Sequence, residues 1–175
     1  MTTLFALFVS VGVLAGVATW FFLFVGPILI WAAFVAWACF FHSGGNEEAL
    51  KSTVSSNVFG VLAAWIAAIV ILAIPAAGSI TLPVWAGIVV AVTVGGYILA
   101  AHVKALSSIP GTTYGYACTF AFLLQTPDKL SLDNLLSLSL DNALFVVWVS
   151  MIIGAGFGYA SGRLAGVLTK SEESG

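Results

Sequence analysis

TLFALFVSVGVLAGVATWFFLF, Thr3–Phe24, runs for 22 residues without a charged side chain. As an α-helix rising 1.5 Å per residue it is long enough to cross about 30 Å of hydrocarbon. The rest of the chain repeats the message. Of 175 residues, 61% are hydrophobic and 7% charged, with a mean hydropathy of +1.14, whereas roughly a quarter of a soluble domain is charged. A β-barrel would need alternating segments of about ten residues, and the sequence has none. The composition therefore predicts an all-α integral membrane protein of about six transmembrane helices, forming a single domain over residues 1–175.

Working outward from the first span, about Thr3 to Phe24, the second runs from about Pro27 to Phe41 and the third from Val54 to Ile74. The fourth covers Leu82 to Ala101, the fifth Pro110 to Leu124 and the sixth Ala143 to Leu168. Pro27, Pro83 and Pro110 suit the first turn of a helix, where a missing N–H breaks no hydrogen bond. No Lys or Arg precedes Leu4, which argues against a cleaved signal peptide.

Basic residues set the expected orientation. With six spans, Lys51, Lys104, Arg163 and Lys170 share one side and Lys129 alone takes the other, so both termini are expected in the cytoplasm. The segment 126–142, TPDKLSLDNLLSLSLDN, becomes an external amphipathic connector, with Leu132, Leu135, Leu136 and Leu140 spaced for a one-sided helix in the membrane interface. Residues 169–175 become a cytoplasmic tail.

Internal repeats are weak but recurrent. Gly12-Val13-Leu14-Ala15 matches Gly60-Val61-Leu62-Ala63, and Pro27 with Trp31-Ala32 matches Pro83 with Trp85-Ala86. His42 and His102 follow, and then two similar polar stretches, ALKSTVSSNVFG from Ala49 and ALSSIPGTTYG from Ala105. A period of two helices gives both copies the same direction across the membrane. Repeats of this kind build solute paths in many transporters.

Within lipid, polar side chains turn inward or toward water. Thr112, Tyr116 and Thr119 recur at helical steps on one face, flanked by Thr113 and Cys118. Ser52, Thr53, Ser55, Ser56 and Asn57 crowd the start of the third helix. Two readings stay open for these groups. They cap helices and bond their own backbone, or they line a solute path with Asn57, Thr112, Thr113, Tyr116 and Thr119 as its walls.

No Asp, Glu, Lys or Arg falls in mid-membrane, as ion coupling or voltage sensing would require. His42 and His102 mark the cytoplasmic mouth, as gating groups or as interfacial residues at helix ends. Cys39 and Cys118 read as buried small side chains. A nucleophile–base pair, a metal-ligand set and a phosphate loop are all missing, so neither enzymatic activity nor a cofactor or metal is expected. A net charge of -2 offers nucleic acid no basic patch. Trp20, Trp31 and Trp85 fit an aromatic belt, while Trp37, Trp65 and Trp148 fall deeper. Gly12 and Gly16, and Gly154, Gly158 and Gly162, make small-residue faces for helix packing within or between protomers. The expected partners are the lipid bilayer, a small-molecule solute and further copies in a homo-oligomer.

Pro27 with Trp31-Ala32, then Trp37-Ala38-Cys39-Phe40-Phe41, the Gly44-Gly45 turn, and Asn57 leading to Gly60 carry a resemblance across most of the chain. It resembles the YcdZ-like family of small bacterial inner-membrane proteins, a domain-of-unknown-function group. The resemblance implies a bacterial inner-membrane location and a multi-span helical fold. It implies no activity and no site residues. The function expected from the residues is a channel or facilitator for a small, mostly neutral polar solute; the alternatives are a non-transporting scaffold or accessory subunit, and an ion-coupled transporter.

Overall fold

The structure, a computed structural model, describes residues 2–170. Seven α-helices follow one another among the described residues: α1 Thr3–Val25, α2 Ile30–His42, α3 Glu47–Ala73, α4 Leu82–Ala100, α5 Ile109–Gln125, α6 Leu132–Leu136 and α7 Ala143–Lys170. Short 3-10 turns occupy Pro75–Gly78 and Lys104–Leu106. The expected tail shrinks accordingly, because 169 and 170 still belong to α7; residues 171–175 lie outside the described residues.

Six helices lie where the sequence places six spans, but only α1, α3, α4 and α7 are long and apolar enough to cross a bilayer on their own. α2 has 13 residues and α5 has 17, about 20 and 26 Å of helix. Pro27 is not in the first turn of α2, which begins three residues later at Ile30. Leu29, with extended backbone, stands at the helix entrance, and its N–H donates to Ser150 Oγ of α7 (2.9 Å). Both short helices bury much of their surface against longer ones, so protein stands in for lipid along them. α3 departs in the other direction and starts at Glu47, seven residues before the expected Val54. Asn46 caps it by accepting from the Ala49 N–H (2.8 Å), with Glu47 and Glu48 in the first turn, where carboxylates favour the positive end of the helix dipole.

Two parallel pairs make the bundle. α2 runs beside α7: Leu29 meets Ser150, Ala33 meets Gly154, and the Trp37 indole N–H donates to Ser161 Oγ (3.0 Å). A methyl group on Gly154 would overlap the Ala33 backbone, and one on Gly158 would come within 3.0 Å of Phe40 and Trp37. α3 runs beside α5 and the contact is reciprocal. Gly60 lies against the Thr112 carbonyl, and Gly115 against the Asn57 carbonyl. Small residues let the backbones approach this closely, which is what holds helices together in lipid. The glycine pair of α1 behaves differently, since Gly12 and Gly16 have open space beyond them.

α7 also crosses α3 in the antiparallel sense, with the Trp148 indole N–H donating to the Val58 carbonyl (2.9 Å) and the Tyr159 hydroxyl to Glu47 (3.3 Å). α1 leans on α7 through an edge-to-face contact of Phe22 with Phe157. Ser150→Ala should destabilise the protein by about 1 kcal/mol, because the Leu29 N–H loses its acceptor. A thermal melt in detergent should then fall by a few degrees, while Ser139→Ala, in the exposed connector, should leave it unchanged.

The connector differs from a one-sided interfacial helix. Only Leu132–Leu136 is helical, and its leucines diverge: Leu135 is fully buried, whereas Leu136, Leu138 and Leu140 are exposed. Leu135 is pinned at its carbonyl, which accepts from the Trp65 indole N–H and from Asn142 Nδ2, both at 2.8 Å. The Lys129–Asp141 ion pair ties the ends of the segment together. Leu135 thereby joins Val61, Leu123, Val147 and Met151 in the apolar core of the bundle.

Candidate functional site

The opposite end of the bundle is polar, and the two similar stretches build it jointly. Ser55 Oγ on α3 donates to the Ala105 carbonyl of the Lys104–Leu106 turn (2.5 Å), so the stretches opening at Ala49 and Ala105 face each other. Between them and the α2–α3 loop lies a groove of about 680 Å³, lined by Ser43, Asn46, Lys51, Ser52, Lys104 and Ser107 among others.

Inward from the groove, α3 carries Thr53, Ser56, Asn57 and Gly60 on one face, at steps of three, one and three residues. Thr53, Ser56 and Asn57 are at most 1% exposed. Yet Thr53 Oγ1, Ser56 Oγ and both amide atoms of Asn57 have no hydrogen-bond partner. Ser43 links the two regions: it lines the groove, and its buried Oγ is also unpartnered. The Cys39 thiol lies beside the Thr53 and Ser43 hydroxyls, without hydrogen-bond geometry to either. An unmet buried polar group costs about 1–3 kcal/mol, and native interiors keep few of them. Five such atoms on four neighbouring residues leave hydrogen-bond donors and acceptors unmet in one part of the interior.

The residues singled out from sequence divide between this site and its surroundings. Asn57 is at its centre. Thr112 and Thr119 are fully buried on the face of α5 that carries Gly115, but their hydroxyls donate to the Ser108 and Gly115 carbonyls of their own helix (3.3 and 2.9 Å). Tyr116 turns to α4 and shares a hydrogen bond with Thr93 (2.9 Å), and Thr113 is exposed and bonded to Tyr97 (3.1 Å). The supposed stripe on α5 is thus shared between two neighbouring helices. His42 and His102 are exposed and lie outside the groove lining; His42 sits edge-on to Tyr114, and His102 Nδ1 is 2.8 Å from the Leu99 carbonyl. Thr53, Ser56 and Ser43 are the additions. The spacing of Thr53 and Ser56 on the face of Asn57 is visible in the sequence; the absence of partners is not.

A helical bundle with apolar outer faces and four helices long and apolar enough to span a bilayer defines an α-helical membrane protein. More particularly, the chain belongs to the DUF1097 family, described as proteins of unknown function, whose model matches residues 8–166. Membership of a domain-of-unknown-function group, implied by the residues from Pro27 to Gly60, is thereby established. No curated protein and no solved structure matches the chain.

Proposed function

We propose that the protein is a channel or facilitator for a small, mostly neutral polar solute, entered from the groove between α3 and the Lys104–Leu106 turn. The observation that carries the reading is Asn57, buried with both a free donor and a free acceptor beside two free hydroxyls. A solute presenting both hydrogen-bond types, such as an amide, a urea-like molecule or a polyol, exchanges water contacts for these groups as it passes. The oxygens of Thr112 and Thr119 still have lone pairs to offer after donating to their own helix. The proposal places the protein in a bacterial inner membrane, as the YcdZ-like resemblance implies, with the groove and both termini on the cytoplasmic side. It keeps the expected homo-oligomer, with the α1 face bearing Gly12 and Gly16 as the surface other copies would use.

The apolar core around Leu135 favours a second reading, a non-transporting scaffold, because it fills the interior with packed side chains from α2, α3, α5, α6 and α7. Stopped-flow light scattering on proteoliposomes, challenged with small neutral solutes, separates the two. Facilitation predicts faster entry of at least one solute and a loss of that entry in Thr53→Val with Ser56→Ala. Permeation equal to that of empty liposomes for every solute, with and without an imposed ion gradient, would leave the scaffold.

A further inference from the structure

We infer that the groove between α3 and the Lys104–Leu106 turn is a binding site for an oxyanion, a phosphate or a carboxylate, held by Lys51 and Lys104. These are two of the five Lys and Arg residues in the chain, brought from different elements into one concavity. Neither is ion-paired among the described residues; the carboxylate pair of Lys129 lies elsewhere. Glu48 is the one acid in the lining, and its neighbour Glu47 is engaged by the Tyr159 hydroxyl.

The neutral lining is rich in donors as well. Asn46 Oδ1 is occupied as the α3 cap, which orients its Nδ2 as the free end of that amide. Ser52 and Ser107 hydroxyls enter no hydrogen bond within the described residues and are free to donate. Ser55 has given its proton to the backbone and serves to hold the two walls together. Two ammonium groups, an amide N–H and two hydroxyls against one carboxylate match an acceptor-only ligand of one or two negative charges. A cation would meet two like charges. The site adjoins the Asn57 cluster through Ser43, but it rests on Lys51 and Lys104 and stands whether or not that cluster conducts.

One ligand chemistry has two sources, a free anion and the headgroup of an acidic lipid, and one experiment with two arms tells them apart. The full chain in nanodiscs of neutral phosphatidylcholine is melted by tryptophan fluorescence while phosphate or acetate replaces chloride at constant ionic strength. In the second arm, discs containing phosphatidylglycerol replace the neutral ones, in chloride. The expected result is a raised melting temperature in one arm or both, with the anion concentration needed increasing about tenfold for Lys51→Gln or Lys104→Gln. Lys129→Gln, outside the groove, should respond as wild type does. A rise with phosphate or acetate identifies a free anion; a rise with phosphatidylglycerol alone identifies a headgroup. Equal melting in all conditions, or a rise that the double variant Lys51→Gln/Lys104→Gln retains, overturns the site. Because the double variant is melted first in neutral discs with chloride, a folding defect there shows itself as a lowered baseline rather than as lost binding.

Discussion

Gly60→Ala is expected to at least halve the recovery of monodisperse protein. The added methyl would occupy the position of the Thr112 carbonyl, with the Tyr116 backbone nitrogen 2.9 Å away. Backbone cannot move aside as a flexible side chain does, so α3 and α5 must separate along their shared face. Overpacking usually costs about 1–3 kcal/mol, and a clash with backbone at a helix crossing belongs at or above the top of that range. Against a total stability of about 5–15 kcal/mol, the loss should at least halve the monodisperse fraction on size exclusion in mild detergent. Gly95→Ala on α4 is the control. Nothing lies within 4 Å of its added carbon, and alanine is the better helix former by up to about 1 kcal/mol. Equal recovery of the two variants would show that the α3–α5 approach is looser than described.

The second large effect runs against the usual direction for a buried residue. Asn57→Leu should abolish solute entry in proteoliposomes while leaving the protein as stable as wild type, or more so. In the empty protein Asn57 buries a donor and an acceptor without partners, a penalty of about 1–3 kcal/mol for each. Leucine has similar bulk and carries neither penalty, so the melting temperature should hold or rise by a few degrees. The same substitution removes the two groups a passing solute would bond. A marked fall in melting temperature would mean that the amide is satisfied in the native membrane and that its free atoms are not a binding site. Lost entry with retained stability is the signature of a residue kept for function at the expense of packing.

Much of the architecture is legible in the sequence because hydropathy and span length dominate it. The misplaced boundaries have different causes. α2 begins late because Leu29 answers to Ser150, a residue 121 positions away, and no local pattern contains that hydrogen bond. α3 begins early because Asn46, Glu47 and Glu48 form a capped polar turn, which a search for apolar runs discards. In the connector, leucine spacing is read as one stripe, whereas Asn142 and Trp65 hold Leu135 inward and leave Leu136 outside.

For the site, the sequence shows which side chains are polar and which share a helical face, enough to place Asn57 and its neighbours together. It does not show which of them find partners. Thr119 reaches a carbonyl four residues back on its own helix, while Ser56, on an equally helical stretch, makes no such bond. The convergence of Lys51 and Lys104 is likewise a property of how α3 meets the Lys104–Leu106 turn. Its one trace in the sequence is the similarity of the two stretches that form the walls.

The partnership of α2 with α7 also bears on how the chain is made. α2 is synthesised early, yet its 13 residues are too few to hold a place across lipid alone. Its neighbour α7, bonded through Leu29 and Trp37, is synthesised much later. At synthesis rates of about 5–20 residues per second, the separation of 121 positions imposes a wait on the order of ten seconds. During that interval α2 must be sheltered by the insertion machinery or rest at the membrane surface. A nascent chain that stops before α7 therefore lacks the hydrogen-bond partners of Leu29 and Trp37, and α2 finds its seat only when α7 arrives.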